Sequence, residues 1–164
     1  MRMRFTKLAL PAMAMAALSA AAFAQGLPTQ KMITVDVAQD LAQEAMSACR
    51  ANGYHVTVLV VDTLNMPKAM LRDDGAAPAT TEIARMKATS TMLYNRPSGP
   101  AQPLPPGTAA PPLPIPGTIN AQGGLPIKVG DATIGAIAVS GAPGGDKDAA
   151  CATAALAKVA DKLK

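Results

Sequence analysis

The chain has no tryptophan, two phenylalanines, two tyrosines, one histidine and two cysteines, and each scarcity excludes a class of chemistry. A single histidine, His55, rules out a multi-histidine metal site built within one subunit. The two cysteines, Cys49 and Cys151, form no Cys-x-x-Cys-His run, so covalent c-type haem attachment is excluded. The glycines from Gly141 to Gly145 lack the G-x-x-x-x-G-K-[ST] and G-x-G-x-x-G spacings, which leaves a nucleotide-binding fold unsupported. Ser98 and Ser140 have no partner base nearby in sequence, so neither an acid–base pair nor an activated nucleophile can be named.

Charge is also scarce once the N-terminus is set aside. Residues 1–24 carry Arg2, Arg4 and Lys7, then an apolar run ending in Ala22-Phe23-Ala24. This is the pattern of a secretory signal peptide with cleavage before Gln25. The run is too short and alanine-rich for a membrane anchor. There are no paired arginines for twin-arginine export, and no cysteine follows the cleavage site to carry a lipid. The mature protein is therefore expected to be periplasmic or secreted, without membrane insertion. The leader holds three bases and no acid, so its removal lowers the formal charge from +4 to +1. With Tyr54 and Tyr94 the only aromatics left to stack on bases, a nucleic-acid partner is excluded.

What remains, residues 25–164, is the length of one domain with an aliphatic core. Asp36, with Gln39 three residues on, reads as the N-cap of a helix to Ala51, which presents Leu41, Ala45, Ala48 and Cys49 on one face. Asn52-Gly53 ends it. Tyr54–Asp62 and Lys68–Asp73 read as two strands, joined through a turn that Pro67 stiffens. Pro78 and Thr80 open a second helix to about Tyr94. Residues 97–118 hold nine of the fifteen prolines and read as an extended loop rather than a domain boundary. It is either a tolerated insertion or a lid or subunit strap. Six methionines survive cleavage (Met32, Met46, Met66, Met70, Met86, Met92), with core filling the preferred role and an interface or pocket the alternative.

The densest pattern runs from Gly123 to Ala152. Pro126–Val129 is a strand, Gly130-Asp131 a tight turn, and Thr133–Ser140 a strand apolar at nearly every position, hence central and covered on both sides. Gly135 leaves room for a close approach to the sheet. After the turn at Gly141–Gly145, Asp146 or Asp148 caps the last helix, which turns Cys151, Ala155, Leu156, Val159 and Leu163 inward. An even cysteine count in an exported chain, with both residues on buried faces of the terminal helices, favours a Cys49–Cys151 disulfide over two buried thiols.

The motifs GG-x-PI, G-x-x-IGAI-x-VSG and D-x-x-CA resemble those of the GlcG/HbpS family, the haem-degrading or PduO C-terminal-like domains. The VLVVD strand from Val58 to Asp62 is similar to that family's first strand. Arg72-Asp73-Asp74-Gly75-Ala76 is similar to its R-x-DGA turn, and Ala84–Arg96 to its A-x-x-KA helix. The resemblance covers about residues 32–160. It implies a single α/β (α+β) domain with a mixed, mostly antiparallel sheet and the terminal helices packed together. It also implies haem or another small anionic ligand, and self-assembly from dimer to octamer.

On that footing, Arg72, Arg85, Lys87 and Arg96 are candidates for anionic groups of a ligand, and Gly123 and Gly124 for backbone donors. For Arg85, Lys87 and Arg96 the plain alternative is a solvated helix face. His55 is either an ordinary hydrogen-bonded imidazole or an axial ligand to haem iron, with Met66, Met70 and Tyr94 as weaker iron contacts. Three functions compete. A non-catalytic exported binder of haem or a similar flat anion is preferred. A haem-degrading or hydroxy-acid-metabolism accessory enzyme and an oligomeric scaffold are the alternatives.

Overall fold

The computed structural model describes residues 29–99 and 115–164. The expected signal peptide and residues 100–114 of the proline-rich segment lie outside the described residues. Element order is α1 (Val35–Arg50), β1 (Thr57–Asp62), β2 (Pro67–Arg72), α2 (Ala79–Tyr94), β3 (Gly124–Val129), β4 (Ala132–Ser140) and α3 (Gly145–Lys158), with a closing 3₁₀ turn over Ala160–Lys162. The four strands form one sheet in the order β2-β1-β4-β3. Each pairing in it is antiparallel, so the expected mixed sheet resolves to an antiparallel one.

Side-chain alternation along the two central strands divides the core into two layers. Val58 and Val60 of β1, with Ile137 and Val139 of β4, face α1 and α3, where they meet Leu41, Ala45, Cys49, Cys151, Ala152 and Ala155. Leu59 and Val61 point the other way with Ala136 and Ala138, onto Ala84 and Ala88 of α2. That second layer is built largely of alanines, so α2 lies close against the sheet. The central position expected for the Thr133–Ser140 strand is thus observed, as is the packing of the first helix on the last. At Gly135, the close approach is made by the Val61 carbonyl oxygen of β1 and by Ile33, where a Cβ would collide.

Three local expectations are corrected. Thr34, not Asp36, caps α1, since its Oγ1 accepts from the Val37 amide at 3.4 Å while Asp36 lies within the first turn. Neither Asp146 nor Asp148 caps α3. Gly144 holds that position, and Asp148 is turned inward, where its Oδ1 accepts from the Ala142 amide at 2.9 Å. Of the six methionines expected to fill the core, only Met46 is buried, whereas Met32, Met66 and Met70 are exposed. The physical reason for Met66 and Met70 is that the edge strand β2 is packed by α1 and not roofed by α2, while the β1–β2 turn meets α2 through the Asn65–Thr89 hydrogen bond at 3.0 Å. Pro67 suits that edge, where a missing N–H breaks no ladder, and it pairs with Val61 at a register shift. Asp62 closes the turn by accepting from the amides of Leu64 and Met66 at 2.9 and 3.0 Å.

Candidate functional site

At the open end of the β1–β2 hairpin, three chain segments converge. α1 ends at Arg50, His55 stands just before β1, and Asp73 follows β2. Asp73 is only 4% exposed, and its two oxygens accept four donors. Arg50 binds it in a fork, Nε to Oδ2 at 3.0 Å and an Nη to Oδ1 at 2.8 Å. The Asp74 amide reaches Oδ1 at 2.9 Å, and His55 Nδ1 lies 3.2 Å from Oδ2. The backbone fixes Asp73 as well, through its amide to the Val56 carbonyl and its carbonyl to the Ala76 amide, both at 2.9 Å. Arg50 first, then His55 and the Asp74 amide, hold its carboxyl well below the usual carboxylate range, against the opposing effect of burial.

An ionised carboxylate can only accept, so Nδ1 carries a hydrogen, and in the neutral form of the His55 ring the lone pair is at Nε2. This arrangement, with one ring nitrogen held by a carboxylate, is the usual way a protein aims the other nitrogen at a metal. The ring is 59% exposed and lies flat on Gly75, where an added Cβ would stand 2.8 Å from the imidazole Cγ. Gly141 completes the seat, since a Cβ there would stand 2.5 Å from the His55 carbonyl oxygen.

Among the expected ligand-binding residues, only Arg72 is brought to this end. It pairs across the sheet with Thr57, and its guanidinium donates to the carbonyl of Ala76, in the same turn as Gly75. Arg85 is on the outer face of α2, in an ion pair with Glu82 at 3.0 Å. Arg96 follows α2, 5.3 Å from the Tyr94 ring centroid and 3.4 Å from the Gly99 carbonyl. Met66 is at the closed end of the hairpin, about 20 Å away along a six-residue strand. Tyr94 ends the 16-residue α2, about 24 Å from the end that begins beside the 73–76 turn.

Lys87 overturns the expectation of a solvated or ligand-facing lysine. It is 3% exposed, and its Nζ donates to Asp148 Oδ2 at 2.7 Å and to the Val139 carbonyl at 2.8 Å. Gly123 and Gly124 are packed close against that pair and its helix. A Cβ on Gly123, whose φ is +126°, would stand 2.7 Å from Lys87 Nζ and 2.5 Å from the Val139 oxygen. The Gly124 amide is taken by Ser98 Oγ at 2.8 Å. Sequence reasoning missed this because β3 starts at Gly124 rather than Pro126. It also passed over Arg50 and Asp73, although Asp73 sits inside the R-x-DGA turn.

The disulfide expected between Cys49 and Cys151 is present, with the Cα atoms 5.4 Å apart. It pins the end of α1, and so Arg50, to α3. A groove of 190 Å³ beside it, between Ala48, Asn52, Tyr54, Lys147, Ala150 and Ala154, is smaller than ordinary small-molecule pockets. Among the described residues there is no group of three His, Cys, Asp or Glu placed to hold a metal ion, and no helix is long and apolar enough to cross a membrane. Haem needs only one nitrogen from the protein. His55 Nε2 fits that requirement, and Arg72 donates into the same 73–76 turn on which the ring lies.

Comparison with known proteins agrees with this architecture. The family described as haem degrading protein HbpS-like matches residues 33–157. A crystal structure of HbpS is 33% identical, with a TM-score of 0.69, over 81% of this chain and 94% of that one. A double mutant of HbpS from Streptomyces reticuli is 28% identical, with a TM-score of 0.70, over 93% and 98%. A PduOC–haem complex, 19% identical over 77% and 94%, shares the fold with a TM-score of 0.66. No curated protein matches the chain. The extent of the family match, together with the identity to HbpS over most of both chains, establishes that this chain belongs to the HbpS-like family.

Proposed function

We propose that this chain is an exported protein that binds haem without turning it over, in which His55 Nε2 would hold the iron and Arg72 would serve as a counter-charge for a propionate. The observation that carries the reading is the exposed imidazole whose Nδ1 is fixed by a buried, ionised Asp73. The family's description as haem degrading and the haem in the PduOC complex favour haem over other flat anions. Bound haem would supply the iron that Nε2 coordinates. This chain's residues hold the imidazole at the required tautomer, seat it on Gly75, and anchor the Arg72 guanidinium in the same turn, on Ala76. The signal-peptide pattern of residues 1–24 supports export. The open edge of the sheet at β2, with Met70 and Leu71 exposed, supports self-assembly between dimer and octamer.

Titration of the chain from Gln25 with ferric haem tests the binder. It predicts a saturable rise of a sharpened Soret band. A band that never saturates counts against it. Stability of the bound spectrum under ascorbate and oxygen favours binding over degradation, whereas release of a bilin spectrum favours degradation.

A further inference from the structure

The carboxylate behind His55 is shared, and the sharing is uneven. Arg50 reaches it at 2.8 and 3.0 Å from two nitrogens, His55 at 3.2 Å from one, and both compete for Oδ2. Resting on the haem reading above, we infer that Asp73 and Arg50 act as an opposed pair that sets the donor strength of His55, Asp73 raising it and Arg50 holding it back. A carboxylate accepting from Nδ1–H moves electron density toward Nε2 and makes the ring a more basic ligand. A guanidinium forked onto the same carboxylate draws that density away. Asp73 itself is nearly buried, so the carboxylate is fixed against the ring, and water screens the pair from the side of the exposed imidazole. The disulfide fixes the helix end that carries Arg50, so the fork is held by the fold.

The consequence is a pair of shifts with opposite signs. A stronger imidazole donor stabilises ferric over ferrous iron, and the hydrogen bonds around a ligand are among the levers that move a haem potential. Asp73→Asn keeps the shape but removes the charge, and raises the midpoint potential of the haem-loaded chain. Arg50→Gln leaves Asp73 to act on His55 alone, and lowers it. A residue that merely braces the turn would lower the melting temperature and leave the potential where it was.

The same pair can be read without haem, because the chain contains one histidine and its ring nitrogens give one set of signals. In ¹⁵N-resolved spectra of the haem-free chain at about pH 9, where imidazoles are neutral, the wild type shows the Nδ1–H tautomer. Asp73→Asn moves the population toward Nε2–H. The proposal is overturned if the tautomer is unchanged in Asp73→Asn, or if the two variants shift the potential in the same direction or not at all. If instead His55→Ala leaves the Soret band of the loaded chain intact, the haem-ligand reading itself has failed, and the inference falls with it. Should Asp73→Asn not fold, the Arg50→Gln potential alone decides, downward in support and upward or unmoved against.

Discussion

Lys87 and Asp148, 61 residues apart in the chain, form a 2.7 Å ion pair with both side chains at most 4% exposed. Burial pushes the Asp148 carboxyl upward, while Lys87 and the Ala142 amide pull it back. The pair joins α2 to the start of α3, and its Val139 contact joins both to the end of β4. Removing one partner strands the other charge in the core. Lys87→Met is expected to cost about 3–5 kcal/mol, whereas adding Asp148→Leu recovers much of that loss. Urea unfolding of the single and double variants checks this, and a double variant no better than the single contradicts it.

Gly123 makes room for that pair. Gly123→Ala puts a Cβ against Lys87 Nζ and the Val139 carbonyl at a φ of +126°, and is expected to cost at least about 1–3 kcal/mol. The same substitution at Gly53, where φ is +73° but nothing lies within 4 Å of the added Cβ, shows the cost of backbone strain alone. Melting curves for the two should differ, with Gly123→Ala the lower.

The Cys49–Cys151 bond spans 102 residues. In the chain-entropy account a loop of that size contributes about 4.7 kcal/mol. Denatured, unreduced protein is expected to show no reactive thiol, and reduction to lower the urea midpoint. Two titratable thiols would contradict the bond.

Asp73 gives stability a defined acid limit. Its carboxyl is held below the ordinary range when folded, so over the acid range the folded chain binds fewer protons than the unfolded one. The stabilisation is complete above about pH 5 and is lost progressively as pH falls through the acid range. Asp73→Asn has no such proton to gain. The difference in melting temperature between the haem-free wild type and the variant should therefore shrink from about pH 5 to about pH 3. A constant difference contradicts it.

Much of the fold was legible because it rests on local patterns. The apolar run Val58–Val61, the apolar run Thr133–Ser140 and the Gly130-Asp131 turn each specify their own element. The disulfide was legible because both cysteines lie on apolar helix faces. What failed depends on pairing across the chain. Lys87 stands in a helix beside Arg85, and nothing local distinguishes a lysine that faces water from one that meets an aspartate 61 residues later. Asp148 read as a cap because a carboxylate suits the first turn of a helix. Met70 read as core because strand order, which leaves β2 at an edge, is not written in β2 itself. In the candidate site, His55 and Arg72 were visible as residue types. Arg50 and Asp73 were not, since their meaning is a fork assembled from the ends of α1 and β2.

The central claim is tested most directly by loading the chain from Gln25 and its His55→Ala variant with ferric haem and comparing their absorbance spectra. The side chain is exposed, so the variant should fold. The account predicts a saturating, sharpened Soret band in the wild type that is lost in His55→Ala while the haem-free melting temperature stays within about 2 °C, as expected for a surface change of up to about 0.5 kcal/mol. An unchanged Soret band in His55→Ala would contradict it.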